Sequence, residues 1–528
     1  MTFSKLILLL TTLGMIAALV ACSSGTKASA GPLANGNYVF SLSGEDANGS
    51  YFVSGAFTVS GTNITAGEQD FSDPANPDLF DQITSGTIVT TSDGNFQITL
   101  NTGDANVGIA GTETINGTIL PSSSTGKSFI NEFDASASGN GELDAQSTPA
   151  ALSAGYAFVL GGSVYDSEAE ENVAVALGGV INVDSAGGIS GTGSIFDANV
   201  AGSGTEFAGE TLGASTVTAT PDSFGRVTFT LNPTDSEDFP NFVLQGYVVD
   251  SNNIRLVEGN DGVADGFGGT TGGVALAQGT STGTFTATSA QNTYVAGLFG
   301  FDTIGVIQVA AQLAPNSDNG VTGFIDFNDL FYEEPASPDP VTASTYSVDP
   351  TGDVTIPGLT DGVNSLNVQL YLDGNGHALA ITLDAGDVIG GNGYQQSGTG
   401  TFTAASFSGA YALGVGGADS DDELYISAVG PVMADGVGTL PSGFVDLNWA
   451  DTETVANAPV TGTFTAASTG IFTGTITGLD VTDCTIFTSD GSGCTADVFN
   501  YYLVDATGDN IAIETDANQL TLGVFQQQ

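Results

Sequence analysis

Apolar and polar residues alternate one for one along much of the chain. Phe96, Ile98 and Leu100 alternate with Gln97 and Thr99, and Val227, Phe229 and Leu231 with Thr228 and Thr230. Val368, Leu370 and Leu372 alternate with Gln369 and Tyr371, and Leu379, Ile381 and Leu383 with Ala380 and Thr382. A period of two sends one set of side chains into a core and the other into water, as half-buried antiparallel strands do. The Thr, Val, Phe and Ile of these runs suit strands, and Asp-Gly, Asn-Gly and Gly-Gly pairs punctuate them. No stretch after residue 22 carries helical spacing, so the expected class is all-β.

The pattern repeats at long range. Four aromatic strands followed by Gly open four similar segments: N-Y-V-F-S-L-S-G (37–44), G-Y-A-F-V-L-G-G (155–162), T-Y-V-A-G-L-F-G (293–300) and A-Y-A-L-G-V-G-G (410–417). Their tyrosines, Tyr38, Tyr156, Tyr294 and Tyr411, lie 118, 138 and 117 residues apart. A second motif follows, a Gly turn and a strand ending in acids or amides: G-E-Q-D-F-S-D (67–73), G-F-I-D-F-N-D (323–329) and G-F-V-D-L-N-W (443–449). The hairpins at 94–101 and 225–232 match closely, and each segment is read as closing on a glutamine: Gln146, Gln278, Gln396 and Gln526. Four tandem homologous units are therefore expected, at 36–150, 151–287, 288–404 and 405–528. A unit of this length holds about eight short strands. Closure into an antiparallel β-barrel removes exposed edges and is the expected architecture, with a β-sandwich as the alternative.

Ahead of the repeats stands a different kind of segment. Lys5 precedes a mostly apolar run from Leu6 to Val20, about 15 residues and too short for a bilayer-spanning helix of about 20. It ends in Leu19-Val20-Ala21-Cys22, which resembles the lipobox of bacterial lipoproteins. The resemblance implies a signal peptide at 1–21, diacylglycerol in thioether linkage on Cys22, cleavage before it and acylation of the new amine. Ser23 after the cysteine is compatible with outer-membrane sorting. Several acyl chains make a durable anchor. Residues 22–35, rich in Ser, Gly and Ala, read as the lipidated flexible tether. With the repeats added, the chain resembles bacterial lipoproteins that carry tandem Gly-rich β repeats of the G-x-Y-x-F…G-x-x-D-F type.

Charge narrows the partners. Against 59 acidic residues stand five basic ones, a formal charge of −54, yet 41% of the 528 residues are hydrophobic and can build cores. Beyond the leader only Lys27, Lys127, Arg226 and Arg255 are basic, scattered singly, which leaves nothing to displace counterions from nucleic acid.

Reactive side chains are scarce. Cys484 and Cys494 flank a turn signal at Asp490-Gly491 and are expected to pair as a disulfide in an oxidising compartment. His377, the sole histidine, is read as a turn residue, so no catalytic residue is assigned. Paired carboxylates mean little among 59 acids, and Trp449 is the only indole a carbohydrate cleft could use. Calcium is the ion best matched to a chain whose plentiful ligands are all oxygens. Asp250, Glu258 and Asp261 resemble Asp505, Glu514 and Asp516, but without EF-hand or calcium-roll spacing; they read as Asx turns before acidic strand ends. No metal site or cofactor is assigned. The expected function is that of a non-enzymatic lipoprotein of the cell envelope, lipid-anchored at the outer membrane and facing the periplasm or the surface, whose β units serve structural, adhesive or binding work on an envelope, glycan or protein partner. Lipocalin-like binding of apolar ligands inside barrels is the alternative, and a secreted hydrolase the weaker one.

Overall fold

The computed structural model describes residues 33–528 apart from short stretches, of which 120–126, 260–268, 330–337 and 480–495 are the longest. Cys22 and the leader lie outside the described residues, as do Cys484 and Cys494. The described chain is strands and turns, with only single-turn 3-10 helices at Gly279–Ser281, Ala287–Ala290 and Ala404–Ser406. No helix among the described residues is long and apolar enough to cross a membrane.

Four antiparallel sheets follow one another along the chain. In the first, Gly36–Asp46 pairs with both Gly49–Ser60 and Ala137–Ala145, closing eight strands into a barrel to which Leu79–Ile83 is appended. The fourth is also a closed eight-stranded barrel, sealed where Ser408–Asp419 meets Gln519–Gln527. The second and third are curled sheets of ten and nine strands. Single bridges, Val183 with Ile189 and Gly320 with Thr345, reach across their gaps. The expected barrel architecture is the observed one.

Each unit holds its own apolar core, built from the alternating residues: Phe96, Ile98 and Leu100 in the first, Val227, Phe229 and Leu231 in the second. One run departs from expectation. Leu379, Ile381 and Leu383 point away from the interior of the third unit, where Ala378 and Ala380 face inward, and pack instead on Ala157, Val159 and Val180 of the second. Both faces of that strand are buried because a neighbouring unit replaces water on the outer one.

The same device joins all four units into a ring. Val39 and Ala56 of the first unit pack on Tyr247 and Val249 of the second. Ala157 and Ala176 of the second pack with Tyr371 of the third. Val295 and Ala310 of the third meet Tyr502, Ile511 and Ile513 of the fourth. Ala412 and Val429 of the fourth then meet Phe129 of the first. The first member of each pair directly follows an opening tyrosine, so the junctions are equivalent and the ring has pseudo-fourfold symmetry. Small residues set the spacing: a Cβ on Gly178 would come within 2.3 Å of the Tyr371 ring, and one on Gly272 within 2.3 Å of Phe52.

Candidate functional site

The polar groups of each junction are equally regular. The aspartate of the second motif, on the strand that pairs with a unit's second strand, reaches into the next unit. Asp70 accepts the Tyr247 hydroxyl at 2.6 Å and a two-pronged bond from Arg226 at 2.6 and 2.7 Å. Asp197 accepts Tyr371 at 2.8 Å, and Asp326 accepts Tyr502 at 2.6 Å and Asn500 at 2.9 Å. At the ring-closing junction Thr118 occupies the tyrosine position, and Asp446 takes Asn116 at 3.0 Å and Asn95 at 3.2 Å. Burial pushes the Asp326 carboxyl up to about 6 against the pull of these donors. In the second unit the motif reads G-S-I-F-D-A-N (193–199), with its Gly one residue farther from the aspartate than in the other three.

Two residues after the aspartate, an asparagine grips the backbone of the next unit. Asn199 donates to the carbonyls of Thr382, Asp384 and Asp387, and Asn328 to those of Glu514 and Gln519. Asn448 donates to those of Glu132, Asp134 and Ala137, whereas the first unit has Ser72 at this place. A terminal glutamine completes the set. The side-chain amides of Gln146, Gln278 and Gln396 donate to the carbonyls of Val248, Leu372 and Leu503 of the following unit. In the fourth unit this role belongs to Gln528, which bonds the Ile119 carbonyl, and not to Gln526. Backbone register agrees: the N–H groups of Gln146, Gln278, Gln396 and Gln528 each bond the carbonyl just before an opening tyrosine. The two-residue shift is invisible in a Q-Q-Q terminus read without coordinates.

Where the first, second and third units meet lies a cavity of about 400 Å³. It gathers residues distant in sequence. Lys127 and Arg255 line it together with Glu142, His377, Tyr394 and Asn253. Lys127 bonds Glu142 at 2.6 Å, and Arg255 bonds both Glu142 and Asp144. Burial alone would raise the Glu142 carboxyl, but Lys127 and then Arg255 outweigh it and hold it near about 2. Two cations thus face two anions. The Lys127 field also reaches Asp509 of the fourth unit. The side-chain oxygen of Asn253 is buried there without a hydrogen-bond partner.

His377 is the first residue of the strand His377–Thr382, just past the turn at 374–376, and its side chain lines this cavity. Its Nδ1 lies 2.9 Å from Asp373, its ring stands edge-on to Tyr394 at 5.5 Å, and it is about half exposed. The pairing with Asp373 orients the ring, and the described hydrogen bonds join no hydroxyl or thiol nucleophile to it. Trp449 is buried in the fourth core rather than displayed as a platform. The larger described cavity therefore lies between units. A smaller one, about 190 Å³, opens at one mouth of the first barrel beside Tyr51, Glu113 and Glu132.

The acids singled out in sequence separate into two kinds. Asp250 and Asp505 cap turns, accepting the backbone N–H groups of Asn252 and of Thr507 and Gly508. Glu258 is interior and satisfied by Gly269 N–H and Thr271; Asp261 lies outside the described residues. Glu514 and Asp516 come together, joined by Asp497 rather than Asp505, with one carboxylate oxygen of each within 4.8 Å of the others.

No protein-family model and no curated protein matches the chain. Among solved structures it is similar to transferrin binding protein B of Neisseria meningitidis serogroup B, at 8% identity over 69% of this chain and 77% of that one, with a TM-score of 0.20. A mutant of transferrin binding protein B from Haemophilus parasuis Hp5 gives 8% identity over 78% and 85%, with a TM-score of 0.17. Intact Ap-TbpB, with N and C lobes, gives 9% over 95% and 96%, with a TM-score of 0.18. Likeness at this level carries no argument for fold or function.

Proposed function

We propose that the chain is a non-enzymatic binding protein of the bacterial envelope, anchored by lipid on Cys22 to the outer membrane, with its ligand site in the cavity between the first three units. The observation that carries the reading is the lining of that cavity. Its two cations, Lys127 and Arg255, are neutralised by Glu142 in the lining and by Asp144 beside it, so what remains for a ligand is hydroxyl, amide and aromatic surface: Ser41, Ser54, Asn253, Asn392, Tyr394 and Phe52. Its volume of about 400 Å³ falls in the small-molecule range of roughly 300–1,000 Å³. Such a lining suits a short neutral glycan, held by hydrogen bonds to the amides and by ring contact with Tyr394. The lipobox resemblance supports the anchor.

The test is calorimetric titration of the mature chain with neutral mono-, di- and trisaccharides of envelope polymers, repeated with Tyr394→Ala and Asn253→Ala. Saturable binding weakened about tenfold in each variant, the cost of roughly one lost hydrogen bond or ring contact, is expected. Absence of binding across the saccharides, or binding unchanged in both variants, overturns the reading.

A further inference from the structure

The acids at one end of the fourth barrel are arranged unlike those elsewhere. Strand register fixes their direction. In Ala496–Leu503, Phe499, Tyr501 and Leu503 belong to the barrel core, so Asp497, on the same face, points inward. In Asn510–Glu514 the inward residue is Ala512, and Glu514 shares its face. In Gln519–Gln527 Phe525 is inward, and with it Thr521 and Gln519. Thr521 donates its hydroxyl to Glu514, which places Gln519 one inward position farther along the same end of the barrel. Asp516 is drawn to this end by the Val498 N–H, which bonds its carboxylate at 2.6 Å.

We propose that Asp497, Glu514, Asp516 and Gln519 form a calcium site inside the end of the fourth barrel. Calcium takes oxygen ligands at about 2.3–2.6 Å, so ligands on opposite sides of one ion stand roughly 4.6–5.2 Å apart. The three carboxylates offer oxygens that all lie within 4.8 Å of one another, and theirs is the one such trio among the described residues. The smaller magnesium ion needs a tighter octahedron and keeps its waters, which a buried site does not favour. The independent observation is Gln519. Its side chain is 1% exposed, and neither its amide oxygen nor its amide nitrogen has a hydrogen-bond partner. A buried amide left unsatisfied is costly, and a cation would engage its carbonyl oxygen as the fourth protein ligand.

The other units show that this set is particular. The carbonyls of Glu514 and Gln519, gripped by Asn328, correspond to those of Glu132 and Ala137, gripped by Asn448, and to those of Thr382 and Asp387, gripped by Asn199. The first unit keeps the acids, as Glu113, Glu132 and Asp134, but has Ala137 where Gln519 stands. The third has Leu366 and Thr382 in place of Asp497 and Glu514. Because Asn328 holds the carbonyls of both Glu514 and Gln519, an ion here would stiffen the two backbone groups on which the third unit docks.

The experiment is calcium titration of the EDTA-stripped full chain, with magnesium in parallel. One saturable site is expected, with a dissociation constant of roughly 10⁻⁵–10⁻³ M and at least about tenfold preference over magnesium. Asp497→Asn and Glu514→Gln, near-isosteric and less charged, should each weaken it tenfold or more, whereas Asp361→Asn on an exposed turn should not. In the unaltered chain, calcium should slow amide exchange in 496–503 and 510–527 and leave 36–60 unchanged. No saturable site at any concentration up to about 10 mM, or equal affinity in all variants as diffuse screening of an acidic chain gives, or exchange slowed uniformly, each overturns the proposal.

Discussion

Asn448 is the residue on which ring closure can be tested most cleanly. It is fully buried, and its amide nitrogen lies 2.8, 3.2 and 2.7 Å from the carbonyls of Glu132, Asp134 and Ala137 across the junction of the fourth and first units. Its side-chain oxygen has no partner, so truncation loses only the donor. Two protons serve three carbonyls. Asn448→Ala therefore strips about two hydrogen bonds and leaves their acceptors dry, at about 1–3 kcal/mol for each orphaned group, or roughly 2–6 kcal/mol in all. Asn448→Asp keeps the size but turns an acceptor toward the three carbonyls, and should cost more than Ala. The assay is urea and thermal unfolding of both variants beside Asn199→Ala, which removes the same grip between the second and third units, with amide exchange read over 128–145. If the ring unfolds as one body, Asn448→Ala and Asn199→Ala lower the same transition by similar amounts. Variants at Asn448 within about 0.5 kcal/mol of the parent, or a transition for the first unit that ignores them, would refute the closed ring as a source of stability.

The remaining expectations concern charge, the junction tyrosines and the anchor. Burial, reinforced by neighbouring carboxylates, pushes Glu68, Glu113 and Asp353 each up to about 8. A carboxyl raised on folding stabilises below its unfolded value and loses that contribution as pH climbs through the folded one, so stability should fall from about pH 4.5 to 8. Glu142, held near about 2, works the opposite way and gives up its contribution only as pH drops from about 4.5 toward 2. Melting temperature should accordingly be higher at pH 5 than at pH 8; a steady climb from 5 to 8 contradicts this. Tyr502→Phe removes a donor from buried Asp326 and should cost about 1.5–3 kcal/mol, more at pH 8 than at pH 5, measured by denaturant midpoints. Gln528→Ala should cost only about 0.5–1.5 kcal/mol, while Gln528 replaced by nothing and Gln526→Ala distinguish the two glutamines by the same midpoints. Cys22→Ala should move the chain from the membrane to the soluble fraction and abolish incorporation of labelled palmitate; retention at the membrane would remove the anchor.

The strands, their alternation and the four copies were legible in the sequence because each is a local property: Phe96, Ile98 and Leu100 announce a buried face by spacing alone. What the outer faces do was not. Gln369, Tyr371 and the acid of G-F-I-D-F-N-D look like solvent-facing residues, yet they are buried because another copy covers them, with partners 174–177 residues away as for Asp197 with Tyr371, Asp326 with Tyr502 and Asp70 with Tyr247. The cations mislead in the same manner. Lys127, Arg226 and Arg255 are solitary along the chain, but all three serve as counterions to buried or half-buried acids, Arg226 and Arg255 across the first junction. Repetition was the one signal that pointed there: a D-x-N that recurs at the same strand end in several copies has a common duty.

A circle of four like joints, three bearing a peptide linker and one joined among the described residues by side-chain contacts, has the form of a cyclic homotetramer with its subunits fused end to end. In such an assembly the location of the chain's start is a genetic accident rather than a mechanical necessity. A version beginning at residue 151, with 528 spliced to 36, should reach the same closed form.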